Sequence, residues 1–409
     1  MRRDFKQLSR RHFLAASGAL AAGALMPRVM FAQTGGSARL VVVILRGAMD
    51  GLAAVPPYSD ANYAGLHRDL AIGPPGTTDG ALDLGHGFGL HPSLSFLHDR
   101  YAAGELVVFH AVASPYRDRS HFDGQNVLEN GLTKPIGSAD GWLNRALAAL
   151  PNHSGERAVA VSQNVPLILR GDAPVMSKSP QNTPDVDEDL LARLADLYSK
   201  DEWFAARLSE ATETEKMTDA ANAAPEGAAS AMVRPAGTDR VAPVAHMAAT
   251  LMRSEGGPQV AVFEATGWDT HANQGGAKGT LGQRLSGLDK ALATLSTELG
   301  PLWRQTTVMV VTEFGRTAAM NGTRGTDHGT GACAFLVGGA VQGGRVIADW
   351  PGLSHGALLD GRDLRPTLDL RSVFKGVLDE HMRVGTKTLN TRIFPDSNGA
   401  RPLQGLIRA

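Results

Sequence analysis

Short runs of apolar, mostly β-branched residues alternate along the chain with stretches of helical periodicity. Six such runs predict strands, at 40–45, 106–111, 158–162, 260–264, 308–312 and 332–337. Between the fourth and fifth runs, leucines recur every three or four residues from Leu285 to Leu299, which is the spacing of one face of an α-helix. Strand, helix and strand in that order predict a βαβ unit with parallel strands.

A second amphipathic pattern, from about Pro366 to Leu378, predicts another helix. Strands that alternate with helices are typical of an α/β fold, in which helices cover both faces of a mostly parallel sheet. From Thr212 to Arg240 the chain is rich in Ala, Thr, Glu and Gly and poor in large apolar residues. We therefore expect one α/β domain over 38–405, with a loose polar insertion at about 212–240.

The N-terminal segment carries two adjacent arginines in Ser9-Arg10-Arg11-His12-Phe13-Leu14, followed by an uncharged run from Ala15 to Met26. This pairing is the pattern of a twin-arginine export signal, and the run is too short for a stable membrane anchor. We predict that residues 1–32 are a signal peptide and that the translocase takes the folded chain to the periplasm or the exterior. Export in a folded state allows a metal to be bound beforehand, so the signal favours a loaded site.

The balance of charge is nearly even, with Lys+Arg 40 against Asp+Glu 41. This balance argues against nucleic acid and against a polybasic membrane surface, which leaves small molecules as the expected partners. The single cysteine, Cys333, cannot form an internal disulfide. Because it lies in the apolar run 332–337, we expect a buried structural thiol and not a nucleophile.

Carboxylates, histidines and arginines collect directly after the predicted strands. The segments are Arg46-Gly47-Ala48-Met49-Asp50-Gly51, Arg117-Asp118-Arg119-Ser120-His121, Gly267-Trp268-Asp269-Thr270-His271, Glu313-Phe314-Gly315-Arg316 and Gly325-Thr326-Asp327-His328-Gly329. Open α/β sheets place their sites at this edge. Carboxylates and imidazoles gathered at one edge repel or desolvate one another unless a cation lies among them, and such oxygen and nitrogen sets suit Zn²⁺, Mn²⁺ or Ca²⁺.

The predicted divalent-metal ligands are Asp50, His121, Asp269, His271, Glu313, Asp327 and His328. Each segment also has a plain structural interpretation. Asp50-Gly51 fits a tight turn, the Asp269 and His271 pair fits a hydrogen-bonded loop, and Asp327-His328-Gly329 fits a loop that ends at a glycine. Ser120-x-x-Asp123 before a helical stretch fits a capping box, although a helix start also suits an anion and an activated hydroxyl.

Taken together, these five motifs behind a twin-arginine signal closely resemble the bacterial family catalogued as domain of unknown function 1501. The resemblance extends from about Leu40 to Val377. That family is in turn similar to the alkaline phosphatase and sulfatase superfamily, whose members use one or two metals to hydrolyse phosphate or sulfate esters. The superfamily resemblance rests on the Asp after the first strand, the segment His91-Pro92-Ser93-Leu94, the hydroxyl at a helix start and the Asp-His-Gly motif.

The resemblance implies an alkaline-phosphatase-like sheet and an exported metal-dependent hydrolase of anionic phosphate or sulfate esters. It makes Ser120 the counterpart of the nucleophile and Asp50, Asp269, His271, Asp327 and His328 ligands, with Glu313 in a ligand position of its own strand. The arginines expected to hold the anion are Arg46, Arg117, Arg119 and Arg316; each also fits a surface or helix-capping role. The alternative is a catalytically degenerate binding or assembly protein that keeps the fold. The sulfatase Cys/Ser-x-Pro-x-Arg signature is absent, since Ser114-Pro115-Tyr116-Arg117 lacks the intervening residue.

Overall fold

A nine-stranded mixed sheet forms the centre of the computed structural model, which describes residues 38–150, 157–179 and 241–408. The strands are β1 (Arg39–Arg46), β2 (Leu82–Asp83), β3 (Gly89–Leu90), β4 (Leu106–Ala113), β5 (Ala158–Ala160), β6 (Val175–Ser177), β7 (Val260–Thr266), β8 (Thr306–Thr312), β9 (Ala332–Val337), β10 (Arg345–Ile347) and β11 (Leu368–Asp369). The helices are α1 (Gly51–Ala54), α2 (Tyr63–His67), α3 (Ser95–Ala102), α4 (His121–Asn130), α5 (Trp142–Ala149), α6 (Val241–Arg253), α7 (Thr280–Leu299), α8 (Leu370–Glu380) and α9 (Thr386–Thr388).

The strand order in the large sheet is β10-β4-β9-β8-β1-β7-β5-β6, with β11 paired to β4, while β2 and β3 form a separate hairpin. Every pairing in the large sheet is parallel except those of β9, which runs antiparallel to both β4 and β8. The amino end of β9 therefore lies at the same edge as the carboxyl ends of its neighbours. The loop from β8 to β9 starts and finishes at that edge.

Two hydrophobic layers cover the faces of the sheet. Alternate residues of β1 point into different layers, with Val41 and Val43 in one and Val42 and Ile44 in the other, all fully buried. Helices α6 and α7 pack in the first layer, and α5 and α8 pack in the second. Burial on both faces explains why the central strands are continuous apolar runs and confirms the predicted α/β class with helices on both faces.

The predicted strands and the βαβ unit β7-α7-β8 are confirmed, with small differences in bounds. The last long helix begins at Leu370, not near Pro366, because Leu368 and Asp369 first pair with β4 as β11. Asp369 then caps the helix by accepting a hydrogen bond of 2.9 Å from the Arg371 amide. Cys333 is a buried free thiol, as expected, and burial raises its pKa. The predicted signal peptide and the polar insertion at 212–240 lie outside the described residues.

Candidate metal centre

Three imidazoles and one carboxylate converge at the carboxyl edge of the sheet. Nε2 of His328 lies 2.9 Å from Nε2 of His121 and 3.0 Å from Nε2 of His271. The Asp269 carboxylate lies 3.0 Å from His271, 3.3 Å from His328 and 3.4 Å from His121. Ligand atoms of His121, Asp269 and His328 all fall within 4.8 Å of one another, so this group is able to hold a metal ion.

The partners of the opposite ring nitrogens decide the tautomers. Nδ1 of His121 faces the Glu313 carboxylate at 2.8 Å, Nδ1 of His271 faces the Asp327 carboxylate at 3.2 Å, and Nδ1 of His328 faces the Arg119 carbonyl at 2.9 Å. A carbonyl or carboxylate oxygen only accepts, so each Nδ1 donates its hydrogen. In a neutral ring Nε2 is then left with a lone pair, and Nε2 of His328 faces Nε2 of each of the other two rings.

Two Nε2 atoms that lie 2.9 to 3.0 Å apart repel through their lone pairs unless a proton or a cation lies between them. Ligand atoms about 2.0–2.1 Å from a tetrahedral zinc ion are separated by roughly 3.3 Å. The five separations given above span 2.9 to 3.4 Å. Metal-bound histidines almost always donate their other N–H to a carboxylate or a backbone carbonyl, as these three rings do. These features are compatible with a metal ion at the group of His121, Asp269 and His328.

The charges around the convergence point also fit a divalent cation. Asp269, Glu313 and Asp327 contribute three negative charges, and Arg316 contributes one positive charge by pairing with Asp269 at 2.5 Å. The surplus of carboxylates over guanidinium groups among these four residues favours a bound cation. Burial opposes ionisation of Asp269, but Arg316 prevails and lowers the pKa of that carboxyl. Asp269 is therefore a carboxylate at neutral pH.

The pKa values of two histidines of the centre are shifted in opposite directions. The hydrogen bond to Glu313 raises the pKa of His121, whereas burial lowers the pKa of His328. His328 therefore stays neutral, with its Nε2 lone pair available, while a proton on His121 competes with a metal in mildly acidic solution. The side chains of Asp269 and His271 are 41% and 43% exposed, so the centre faces solvent.

Glu313 lies behind His121, at the ring nitrogen opposite the point of convergence, and its own assignment as a ligand stays a prediction. Its Oε1 accepts hydrogen bonds from the Gly47 amide at 2.8 Å, from His121 at 2.8 Å and from Gln125 at 3.2 Å. The Gly47 backbone has φ +119°, and a Cβ there would lie 2.6 Å from the Asp269 amide nitrogen. Glycine after β1 thus permits the close approach that ties the first strand to Glu313.

Asp327 is likewise a supporting residue. Its Oδ1 accepts from Nδ1 of His271 at 3.2 Å and from the Asn321 side-chain amide at 3.0 Å, which orients the ring from the side away from the metal group. The hydrogen bond from Asn321 lowers the pKa of Asp327. The predicted Asp-His-Gly motif therefore divides, since His328 reaches the centre and Asp327 positions a different histidine.

Asp50 does not join the cluster. It caps α1 by accepting hydrogen bonds from the Leu52 and Ala53 amides at 3.0 and 3.1 Å, and its other oxygen lies 3.2 Å from Nε2 of His67 and 2.7 Å from the Gln274 amide nitrogen. With its carboxylate engaged by four donors and 1% exposed, it has no lone pair directed at the centre. The structure thus places Asp50 at the start of α1, and its assignment as a ligand stays a prediction.

The arginines expected to hold an anion are engaged within the protein. Arg46 pairs with Glu129 at 2.6 Å and with Glu264. Arg119 pairs with Asp363 at 2.8 Å, and Arg316 is buried against Asp269. Arg117 donates to the backbone carbonyls of Ser114 and Tyr116. Each guanidinium already has oxygen acceptors, so the structure does not present these four as an open anion clamp.

Ser120 is the N-cap residue of α4, with extended backbone angles, but its side chain makes no capping hydrogen bond. The capping-box alternative is therefore not observed. Arg119, immediately before it, has φ +62°, a region uncommon for a residue with a side chain. This turn aims the Arg119 carbonyl at His328 while His121, on the other side of Ser120, reaches the same centre.

Three further residues of the site were missed in the sequence. The His67 ring contacts the Asp50 carboxylate, and the Gln274 side chain accepts a hydrogen bond from the Thr270 hydroxyl. The Asn321 side chain donates a hydrogen bond to Asp327. Gln274 follows His271 by three residues, a proximity that was the only available signal. Nothing in the sequence around His67 or Asn321 relates them to residues so far along the chain.

Solved structures to which this chain is similar include Ps i-CgsB in complex with k-i-k-neocarrahexaose, at 9% identity and a TM-score of 0.41, covering 89% of this chain and 77% of that one. A phosphonate monoester hydrolase of Agrobacterium radiobacter has 10% identity and a TM-score of 0.36, covering 83% and 73%. The PsFucS1 sulfatase from Pseudoalteromonas sp. has 13% identity and a TM-score of 0.38, covering 98% and 78%. Among curated proteins, none matches the chain significantly.

Two family models match the sequence itself. The model of the twin-arginine translocation pathway signal sequence matches residues 7–27, so the protein is exported by that pathway. Within the described residues, no helix combines the length and apolar character that crossing a bilayer requires. The second model matches residues 109–393, which include His121, Asp269, His271 and His328. The chain therefore belongs to the family described as protein of unknown function DUF1501.

Proposed function

We propose that this protein is an exported, metal-dependent hydrolase of phosphate or sulfate esters. The observation that carries the proposal is the convergence of three Nε2 atoms, from His121, His271 and His328, on the Asp269 carboxylate with every Nδ1 hydrogen already donated elsewhere. Three imidazoles and one carboxylate suit Zn²⁺ or a similar transition ion better than Ca²⁺, which prefers oxygen ligands.

Exposure of the centre supports a catalytic role over a structural one. Structural zinc sites are closed, whereas catalytic sites keep a position open to water or substrate. Asp269 and His271 are both more than two-fifths exposed. A divalent ion bound here would supply Lewis-acid polarisation of an ester oxygen and of an attacking hydroxyl.

Ser120 is the nucleophile of this proposal. Its hydroxyl makes no hydrogen bond to the described part of the chain. Ser120 lies between Arg119, whose carbonyl contacts His328, and His121, whose ring reaches the centre. Because no side chain caps α4, the first-turn N–H groups of this ten-residue helix remain available to oxygens of an anionic ester.

The test combines metal content with turnover on the purified mature protein. We expect bound divalent metal by mass spectrometry in the wild type, its loss in His121→Ala and His328→Ala, and its retention in His246→Ala. His246 is a matched control, since its Nδ1 lies 3.2 Å from the Glu298 carboxylate outside this centre. Hydrolysis of aryl phosphates or aryl sulfates should follow the metal through these variants. Wild-type protein that binds no divalent metal after incubation with Zn²⁺ and Mn²⁺ would refute the proposal.

The engagement of Arg46, Arg117, Arg119 and Arg316 favours a second candidate, a metal-containing binding or assembly protein that retains the fold without turnover. Stoichiometric metal, together with no hydrolysis of either ester class, would select it. Turnover that disappears with the metal would select the hydrolase.

A further inference from the structure

An open cleft of about 450 Å³ adjoins the metal centre along α4. His121 begins the helix at the metal centre, while Phe122, Gln125 and Glu129, spaced three and four apart, line the cleft from one helix face. Gln125 connects the two places directly, because it lines the cleft and donates a hydrogen bond of 3.2 Å to Glu313. The cleft therefore lies next to the Glu313 side of the centre.

The charges that line this cleft cancel. Arg46, Arg170, Glu129 and Glu264 all line it, and Arg46 is already paired with both carboxylates. An anionic ligand would have to compete with those two carboxylates for Arg46. The cleft is thus neutral overall while remaining strongly polar.

Several of the groups with spare hydrogen-bonding capacity are amides. The side chains of Asn126 and Asn164 make no hydrogen bond to other described residues, and Gln125 uses only its nitrogen. Amides offer donors and acceptors in one plane, which matches hydroxyl groups that both donate and accept. Phe122 adds an apolar ring that is 84% exposed. Among described residues only Ile136 is a comparably exposed large hydrophobic side chain.

We propose that this cleft binds a neutral, hydroxyl-rich ligand, a saccharide, whose rings pack on Phe122 while the amides bind its hydroxyls. A peptide is the less favoured ligand, because the strand residues that line the cleft, Arg46 and Glu264, belong to the central strands β1 and β7 and provide no open strand edge for main-chain pairing. Use of the cleft to hold the alcohol part of an ester rests on the proposed function; saccharide binding itself does not.

The test is binding, measured by ligand-observed NMR and calorimetry with neutral hexasaccharides of different linkage: cellohexaose, maltohexaose, xylohexaose, mannohexaose and laminarihexaose. We expect at least one to bind and Phe122→Ala and Asn126→Ala each to weaken it about tenfold, the size of one lost ring contact or unpaired amide. Ile136→Ala, an equally exposed truncation outside the cleft, should leave the affinity unchanged. Circular dichroism confirms that each variant is folded.

Binding should also persist after chelation and in His328→Ala, which separates this proposal from the metal chemistry. Failure of the wild type to hold metal would remove the proposed hydrolase and leave the saccharide site standing. The saccharide site is overturned if none of the hexasaccharides binds, or if binding is the same in Phe122→Ala and Asn126→Ala as in the wild type. It is also overturned if an uncharged peptide of Gly, Ser and Asn binds in the cleft more tightly than any of them.

Discussion

His121 donates its Nδ1 hydrogen to Oε1 of Glu313 across 2.8 Å, and the Glu313 side chain is fully buried. Burial alone would raise the pKa of that carboxyl, but the hydrogen bond from His121 and those from other donors lower it. The carboxylate therefore remains charged inside the protein and fixes the orientation of a ring on the surface of the site. Disruption of this pair is a direct test of the geometry.

Glu313→Gln should weaken metal binding about 10–100-fold, because the supporting carboxylate no longer makes the His121 imidazole a better ligand. Competition with a chromophoric chelator measures the affinity. Glu298→Gln removes a carboxylate that also pairs with a histidine but lies outside the centre, and it should have no effect. Equal affinities in Glu313→Gln and the wild type would contradict the supporting role of Glu313.

Ser120→Ala should change the free energy of unfolding by less than about 0.5 kcal/mol, since no capping hydrogen bond is lost. Turnover should nevertheless fall by orders of magnitude, because the nucleophile is gone. Ser120→Asp provides the comparison, since aspartate caps a helix well but supplies no hydroxyl. Denaturant unfolding and kcat are measured on the same preparations. Wild-type turnover in the Ala variant would assign the nucleophile elsewhere.

The buried pair of Asp50 and His67 should make stability depend on pH. Both nitrogens of His67 face acceptors, Asp50 at 3.2 Å and the Ala318 carbonyl at 2.8 Å, so the ring carries two hydrogens and a positive charge. Burial opposes both charges, yet the attraction between the two residues raises the pKa of His67 and lowers that of Asp50. The pair stabilises the fold only while both residues are charged.

His67→Gln should therefore lower the free energy of unfolding most between about pH 4 and pH 6.5, which are the ordinary pKa values of the two side chains. The loss in that window should be on the order of 3–5 kcal/mol. Above this window the cost declines as His67 deprotonates through its raised pKa, and below it as Asp50 protonates through its lowered pKa. Urea unfolding from pH 3.5 to 9 follows the difference. His98→Gln, at a ring that contacts a single backbone carbonyl, is the control variant. A pH-independent cost in His67→Gln would contradict the charged pair.

Replacement of Arg10 and Arg11 together by Lys should leave the precursor in the cytoplasm, because the twin-arginine pathway recognises that pair. The neighbouring pair Arg2 and Arg3 lies before the matched signal, at residues 7–27, so its replacement by Lys should leave export unchanged. Cell fractionation with immunodetection measures both variants. Normal export of the Arg10 and Arg11 variant would show that another route carries the protein.

The amino-acid sequence by itself determined the elements and the edge at which the chemistry gathers. Apolar runs such as 40–45 and 308–312 are buried on both faces, so hydrophobicity alone located the strands. The leucines of α7 located the crossover helix in the same way. Because parallel strands share one carboxyl edge, the motifs that follow them were expected together, and His121, Asp269, His271 and His328 do meet there.

Only the tertiary structure decided which residues reach the centre and which support it. His121 meets Glu313 across 192 positions of the chain, and His328 meets the Arg119 carbonyl across 209, distances at which no local pattern operates. The diversion of Asp50 to His67 and Gln274 has the same origin. A carboxylate or an imidazole is chemically the same group whether it reaches the centre or supports a residue that does. Its role is fixed by which of its atoms faces a donor or acceptor, and packing of distant segments sets that orientation.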